Sequence, residues 1–317
     1  MFVASSNGLG HARRLLHLIS GFRDFGVSTT LIISEKQELL LYSEIKEAQR
    51  ISRFKVCVSA PQGLEVIGNN IEVLPFVQDT KYLKEIESAS AVISDNSLWP
   101  TEFHEKVYLL GHFEWVTYFT KKMEGLQVAT YVQDLLAKER ANLSRIAKWF
   151  RTKDFYMKSF FEFQTVEIPL IRYHSDSVEI QERVDEIWLS YGTTSRNIPE
   201  PLPVIRGDLK LVNKESWRLN EGNLPHAILG RPGLGTIRDC LAHAVCFSPF
   251  WTGVDPELTS NSGKLFELKL SLPTNKILQG EIDNSELKRL QERIYEYWQT
   301  SSSQPESIAA LILANIK

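Results

Sequence analysis

Cysteine is scarce in this chain: three in 317 residues, Cys57, Cys240 and Cys246, with no Cys-x-x-Cys pair. That count and spacing exclude a disulfide-stapled secreted scaffold and a structural zinc site, and leave the three as small apolar core residues. No run of about 18 uninterrupted apolar residues occurs, and no basic leader followed by an apolar segment opens the sequence, so neither a membrane-spanning helix nor a signal peptide is expected. A cytoplasmic location is the corresponding expectation. Charge of one sign is not in surplus: 36 Lys and Arg against 39 Asp and Glu give a formal charge of −3, interspersed along the chain. Such a balance offers no general attraction to nucleic acid. Repeats of fixed period and low-complexity tracts are also absent, and "TSSSQPES" (300–307) reads as an ordinary loop joining two helices.

What is present is apolar material for two cores: 43% of 317 residues are hydrophobic, on an expectation of roughly 100–200 residues per domain. In the first half, short apolar runs alternate with helical periods. The runs are "MFVAS", "STTLIIS" (28–34), "FKVCVSA" (54–60), "IEVLPF" (71–76), "SAVISD" (90–95) and "KVYLLG" (106–111). Helical periods fall over 12–25, 36–50 and 80–88, an alternation that predicts βαβ units and a mainly parallel sheet. In 12–25, Ala12, Leu15, Leu16, Ile19 and Phe22 share one stripe, with Arg13, Arg14 and Arg23 mostly off it.

From about 127 to 163 the pattern becomes that of a long helix, and "WFRTKDFYMKSFFEF" (149–163) mixes aromatic and basic residues densely. These aromatics are read as covering a seam between domains, with a surface that meets a membrane or an amphiphilic acceptor as the sharper alternative. A second strand-rich region begins at "EIWLSYGTTS" (186–195), continues through "LKLVN" (209–213) and "HAILGRPGLGTIRDCLAHAVCFSPF" (226–250), and closes with helical stretches near 284–299 and 305–316. The boundary is placed near 165, giving domains 1–165 and 166–317.

Two glycine-rich loops carry the chemistry. In "FVASSNGLGHARRLLHLI" (2–19) a strand runs into Gly8-x-Gly10 and then a helix, which sets free helix N–H groups at the carboxyl edge of the sheet with His11 in the first turn. A dinucleotide fingerprint would need a third glycine where Arg13 stands, so that reading fails, and the plain alternative is a tight strand-to-helix turn. Arg13 is read either as a partner for a carboxylate or phosphate or as a solvated helix residue. The second loop, "GRPGLGT" (230–236), has glycines at 230, 233 and 235, with Thr236 expected to cap the following helix and its hydroxyl and neighbouring amides suited to a phosphate. Arg231 and Arg238 are expected to add positive charge. No Gly-Lys-Ser/Thr follows, so this is not a Walker loop.

With these two loops in this order the sequence resembles the GT-B glycosyltransferases, in particular those whose first loop reads Gly-x-Gly-His-x-x-Arg and whose second domain carries a segment like "GRPGLGTIRDCLA". It is similar at both places to the lipid II N-acetylglucosaminyltransferase and to macrolide-type transferases. The resemblance implies an α/β fold of two Rossmann-like domains facing across a cleft, the first on the acceptor side and the second binding a nucleotide-diphosphate sugar such as a UDP-sugar. It implies a hexosyl transfer to an acceptor hydroxyl, lipid-linked or presented at a membrane surface, without metal or other cofactor and with inversion; no Asp-x-Asp motif occurs.

On that basis His11 would be the base that deprotonates the acceptor, its ordinary pKa of about 6.5 suiting it to accept a proton at neutral pH. Asp95, at the end of "SAVISD", would orient it, or else would cap a helix over 97–105; Glu114 is a weaker orienting candidate. Gly8, Gly10 and Arg13 form the acceptor-side loop. Arg231, Gly233, Gly235, Thr236, Asp255 and Glu257 would bind the donor, and "SYGTTS" (190–195), with Gly192, Thr193 and Thr194, resembles the family's other phosphate-facing turn. The three prolines of 196–208 stand where the family has a helix, so a shortened second domain is expected. The other histidines, at 17, 104, 112, 174, 226 and 243, fit no metal-ligand spacing. Two alternatives accompany this reading: a nucleotide-sugar hydrolase of the nonulosonic acid synthesis type, with His11 activating water, and a catalytically silent nucleotide-sugar-binding protein.

Overall fold

A computed structural model describes residues 1–5, 9–51, 54–59, 63–67, 70–74, 80–111, 114–122, 130–173, 183–190, 210–213, 224–251, 255–281 and 283–316. The chain divides into two compact units, Met1–Ile171 with Gln304–Lys317, and Arg172–Ser303. The division therefore falls at 171/172 rather than near 165, and the last stretch of chain, expected in the second domain, belongs to the first unit.

In the first unit the chain order is β1 (Phe2–Ala4), α1 (Gly10–Ser20), β2 (Thr29–Ser34), α2 (Glu35–Leu40), α3 (Tyr42–Ile51), β3 (Phe54–Ser59), β4 (Gly63–Ile67), β5 (Asn70–Leu74), α4 (Thr80–Glu87), β6 (Val92–Asp95) and β7 (Val107–Leu110). It continues with α5 (Trp115–Lys122), α6 (Thr130–Leu143), β8 (Ile146–Thr152), β9 (Thr165–Ile168) and the two-residue β10 (Leu170–Ile171). Seven strands form one parallel sheet in the order β3-β2-β1-β6-β7-β8-β9. Both faces are covered, which is why β1, β6 and β7 are buried at every residue and read as continuous apolar runs rather than as alternating ones. The stripe read on the first helix holds: Ala12, Leu15, Leu16, Ile19 and Phe22 are each at most 2% exposed.

Two expectations for this unit are corrected. The run at 71–76 does not join the sheet; its β5 pairs antiparallel with β4 as a separate hairpin. The long helix over 127–163 ends at Leu143, and Ile146–Thr152 is a strand between β7 and β9. Trp149 and Phe150 are buried there, Trp149 packs with Val3, Val92, Val107 and Leu109, and Tyr156, Phe161 and Phe163 lie against the same cluster. Trp149 and Phe150 thus belong to the first unit's own core, because a central parallel strand needs apolar side chains on both faces, while Phe160 stays 41% exposed.

The second unit contains β11 (Arg183–Ser190), β12 (Lys210–Asn213), β13 (Leu224–Gly230), α7 (Leu234–Ala242), β14 (Cys246–Pro249), α8 (Pro256–Glu267), α9 (Thr274–Gln279) and α10 (Asn284–Ser301). Its parallel sheet has the order β12-β11-β13-β14. Cys240 and Cys246 are buried in this core, as the sequence suggested for them; the Cys57 side chain lies outside the described residues. Leu290, Ile294 and Trp298 of α10 are buried, and α10 packs on α7 and β14.

The final helix, α11 (Pro305–Asn315), packs against α1. The Pro305 carbonyl sits where a Cβ on Gly21 would be, so only glycine permits that approach. Lys148, buried in β8, donates to the backbone and side-chain oxygens of Asn315 at 3.2 Å each, tying the end of α11 to the sheet. Among the described residues no helix is long and apolar enough to cross a membrane.

Candidate active site

Strand order reverses at β1 in the first unit, with β2 on one side and β6 on the other, and at such a point the connections diverge and leave a crevice at the carboxyl ends of the strands. Register sets Ala4 of β1 opposite Asp95, the last residue of β6. The chain leaving β1 enters α1, so His11 in the first turn stands over the end of β6: its Nδ1 is 3.1 Å from Asp95 Oδ1. Arg14, one turn further along the same face, donates from Nε to Asp95 Oδ2 at 2.7 Å and from Nη2 to Oδ1, a bidentate grip.

Asp95 is fully buried. Burial pushes its carboxyl up, but the Arg14 and His11 charges and their hydrogen bonds outweigh that and hold it below the usual carboxylate range. Asp95 is therefore an acceptor at neutral pH, and the His11 nitrogen facing it carries a proton. The other ring nitrogen, Nε2, is 3.1 Å from the Asn96 side-chain nitrogen, and the Asn96 side-chain oxygen accepts from Trp115 Nε1 at 2.8 Å. The His11 side chain keeps 15% of its surface exposed, so the ring is reachable from solvent while its partner is not.

Gly111, just past the end of β7, gives this group its room. Its φ is +80°, and a Cβ there would lie 2.7 Å from both Arg14 Nη2 and Asp95 Oδ1. Gly111→Ala is expected to combine left-handed backbone strain with displacement of the ion pair and to lower stability by about 2 kcal/mol. Thermal unfolding of the variant checks this, and an unchanged midpoint would show that the pair has slack.

Among the residues expected here, His11 and Asp95 are brought together, and the helix-cap alternative for Asp95 does not hold: its oxygens face Arg14 and His11. Arg13 is not part of the group. It pairs with Glu44 of α3, Nε to Oε2 at 2.8 Å and Nη2 to Oε1 at 2.9 Å. The arginine three residues beyond His11 is Arg14, and i, i+3 spacing on one helix face was the signal that could have selected it. Asn96, Gly111 and Trp115 were missed, since nothing in a single sequence ties them to a histidine near residue 11. Gly8 lies outside the described residues, while a Cβ on Gly10 would meet no atom of the described protein within 4 Å.

Glu114 does not orient His11. It is buried and accepts from Ser159 Oγ at 2.9 Å and from the Phe160 amide at 3.2 Å. Glu139, also buried, accepts from the Val116 and Thr117 amides at the start of α5 at 2.8 and 2.9 Å. Burial raises both carboxyls above the ordinary 4.5, and for Glu114 the neighbouring Glu139 adds to the rise. Between 4.5 and the raised value the folded chain holds protons that the unfolded chain has released, so stability falls as pH rises through that window. Glu114→Gln, which cannot ionise, is expected to flatten the decline in unfolding free energy from pH 4.5 toward neutrality; an unaltered slope in urea titrations would exclude Glu114 as its source.

In the second unit the order reverses at β11, with β12 on one side and β13 on the other. The Gly-rich loop leaves β13 there, held by the Arg231 amide donating to the Ser190 carbonyl at 3.2 Å and by buried Asn261 donating to the Pro232 carbonyl at 3.0 Å. Helix α7 starts earlier than expected: Gly233 in extended conformation is its N-cap, no side chain caps it, and Thr236 lies within the first turn rather than at the cap. The β-region conformation of Gly233 lets the helix begin at Leu234, which leaves the amides of 234–236 as its open end. A Cβ on Gly233 likewise meets nothing within 4 Å.

Arg231 reaches Asp255 Oδ2 at 3.3 Å. Asp255 caps α8, accepting from the Glu257 and Leu258 amides at 3.0 and 3.2 Å. Arg238 is not at this loop's disposal: it is 5% exposed, its guanidinium stacks 3.1 Å from the Tyr173 ring centroid, and it pairs with Asp239 at 2.6 Å. Gly192, Thr193, Thr194 and the proline-rich 196–208 lie outside the described residues.

No protein-family model matches the sequence, and no curated protein matches it. Solved structures match over nearly the whole chain. Phytolacca americana UGT2, complexed with UDP-2fluoro-glucose and pterostilbene, has a TM-score of 0.63 at 12% identity, covering 99% of this chain and 98% of that one. Arabidopsis thaliana UGT89C1, complexed with UDP-L-rhamnose, gives 0.62 at 11% identity, with 100% and 98% covered. The calicheamicin glycosyltransferase CalG4 gives 0.53 at 15% identity, with 99% and 98% covered. The chain thus has the α/β fold of the GT-B glycosyltransferases, with two Rossmann-like units.

Proposed function

We propose that this protein transfers a hexosyl group from a nucleotide-diphosphate sugar to an acceptor hydroxyl, with inversion and without a catalytic metal. The observation that carries the reading is the imidazole of His11 held at the switch point of the first sheet by a buried, ionised aspartate. A neutral ring with its Nδ1–H on a carboxylate is built to receive a proton at Nε2, because the positive charge that forms lies against Asp95. In the step itself, the acceptor O–H proton passes to Nε2 and the acceptor oxygen bonds to the anomeric carbon. The bond from that carbon to the diphosphate oxygen breaks, and its electron pair leaves with the diphosphate.

The open N-terminus of α7 and the Arg231 side chain are assigned to the leaving charge, with Gly235 and Thr236 in the same first turn. Gly10 and Gly233 support ligand approach at both loops, since neither glycine is required by the described protein's own packing. Asp255 and Glu257 stay in the donor-side proposal as the residues that fix Arg231 and begin α8. The related folds were solved with UDP-2fluoro-glucose, UDP-L-rhamnose and thymidine diphosphate, which makes UDP- and dTDP-sugars the first donors to try.

The test is nucleotide release from UDP-, dTDP- and GDP-sugars with and without soluble and lipid-linked hydroxyl acceptors. Release that depends on acceptor is the expected result. Release into water alone would replace transfer by hydrolysis, and binding without turnover would mark a silent protein.

A further inference from the structure

Asn96 follows the aspartate that holds His11, and its contacts define the state of the imidazole more tightly than Asp95 does alone. The backbone at Asn96 is left-handed, φ +62°, a conformation that asparagine, aspartate and glycine tolerate and most residues do not. Its amide nitrogen donates to the Leu110 carbonyl at 2.9 Å, and the residue is 5% exposed. The side chain is thereby fixed between two rings. Trp115 Nε1–H can only donate, so the side-chain atom facing it is the oxygen, at 2.8 Å. The atom turned toward His11 Nε2, 3.1 Å away, must then be the amide nitrogen, which can only donate.

From the opposite side of the ring, ionised Asp95 can only accept from Nδ1. The two ends agree without sharing an atom: Nδ1 carries the proton, and Nε2 offers its lone pair. We propose that Asn96 is a positioning residue that selects this tautomer of His11 and keeps its Nε2 lone pair occupied until an acceptor hydroxyl takes the place of the amide. A ring nitrogen has one lone pair, so hydroxyl and amide cannot both hold it well. Once the hydroxyl proton has moved to Nε2, an N–H would face an N–H, and the amide cannot return until that proton leaves. The device holds the base in one tautomer before substrate arrives and makes its use conditional on displacement.

The rate consequence rests on the proposed transfer, whereas the tautomer does not, and the experiment keeps the two apart. Ring-15N-labelled protein, with the His11 signals assigned by difference against His11→Gln, is expected to show a protonated Nδ1 and an unprotonated Nε2. In Asn96→Asp, whose carboxylate can only accept, Nε2 is expected to become protonated; in Asn96→Gly the fixed tautomer is expected to give way to exchange. Both residues suit the left-handed backbone, so the fold is retained, and thermal unfolding verifies it. In transfer assays both variants are expected to lose about 10²-fold in kcat with the donor KM unchanged, and Trp115→Phe to lose less. A parent ring protonated at Nε2, or full kcat in both Asn96 variants, would overturn the proposal. The expected ring signals in a protein that transfers to no acceptor would uphold the tautomer assignment and remove the transferase reading instead.

Discussion

Replacing His11 by Ala is expected to lower acceptor-dependent nucleotide release by about 10²–10⁴-fold while leaving affinity for UDP within about twofold. Two measurements are needed, steady-state turnover and nucleotide binding by calorimetry, because their combination separates a lost base from a damaged fold. His11 is half-buried on α1 and contributes nothing to the apolar stripe of that helix, so its removal costs little packing. Turnover that survived in His11→Ala would remove the imidazole from the chemistry and leave Asp95 and Arg14 as a structural ion pair.

Asp95→Asn is expected to be damaging in a second way. Arg14 makes two of its hydrogen bonds to this carboxylate, and the arginine side chain is only 13% exposed. Neutralising the acid leaves a guanidinium in that setting without its charge partner, an effect of about 3 kcal/mol for a pair buried to this degree. Turnover should fall as far as in His11→Ala, since a neutral amide at this position no longer stabilises the positive charge that forms on the ring. The stability difference from the parent also has a pH signature. The folded carboxyl titrates below its ordinary 3.8, so its contribution is fully present above 3.8 and is lost as pH falls through the lower folded value. Equal unfolding midpoints for parent and variant at neutral pH would show that Arg14 is satisfied without Asp95.

Much of the frame was legible from local pattern. Burial on both faces makes parallel strands read as unbroken apolar runs, and β1, β2, β6 and β7 were found on that signal. Trp149 to Phe163 misled for the opposite reason: aromatic density is equally compatible with a strand, a helix or an exposed surface, and only pairing with β7 and β9 made Ile146–Thr152 a strand. The Thr236 side chain is suited to a cap, yet Gly233 adopts the extended conformation that a cap requires three residues earlier.

The amino-acid order by itself determined the alternation of strand and helix, the buried stripe of α1 and the position of His11 just past a glycine turn, because each depends on residues within a few positions of one another. Which carboxylate meets that histidine was decided only by tertiary structure. Asp95 is 84 residues from His11 and 81 from Arg14, and it arrives there because the strand that ends in it lies next to β1. Neighbourhood in a parallel sheet is set by how the crossovers pack, a long-range balance of buried area that no short window of sequence contains.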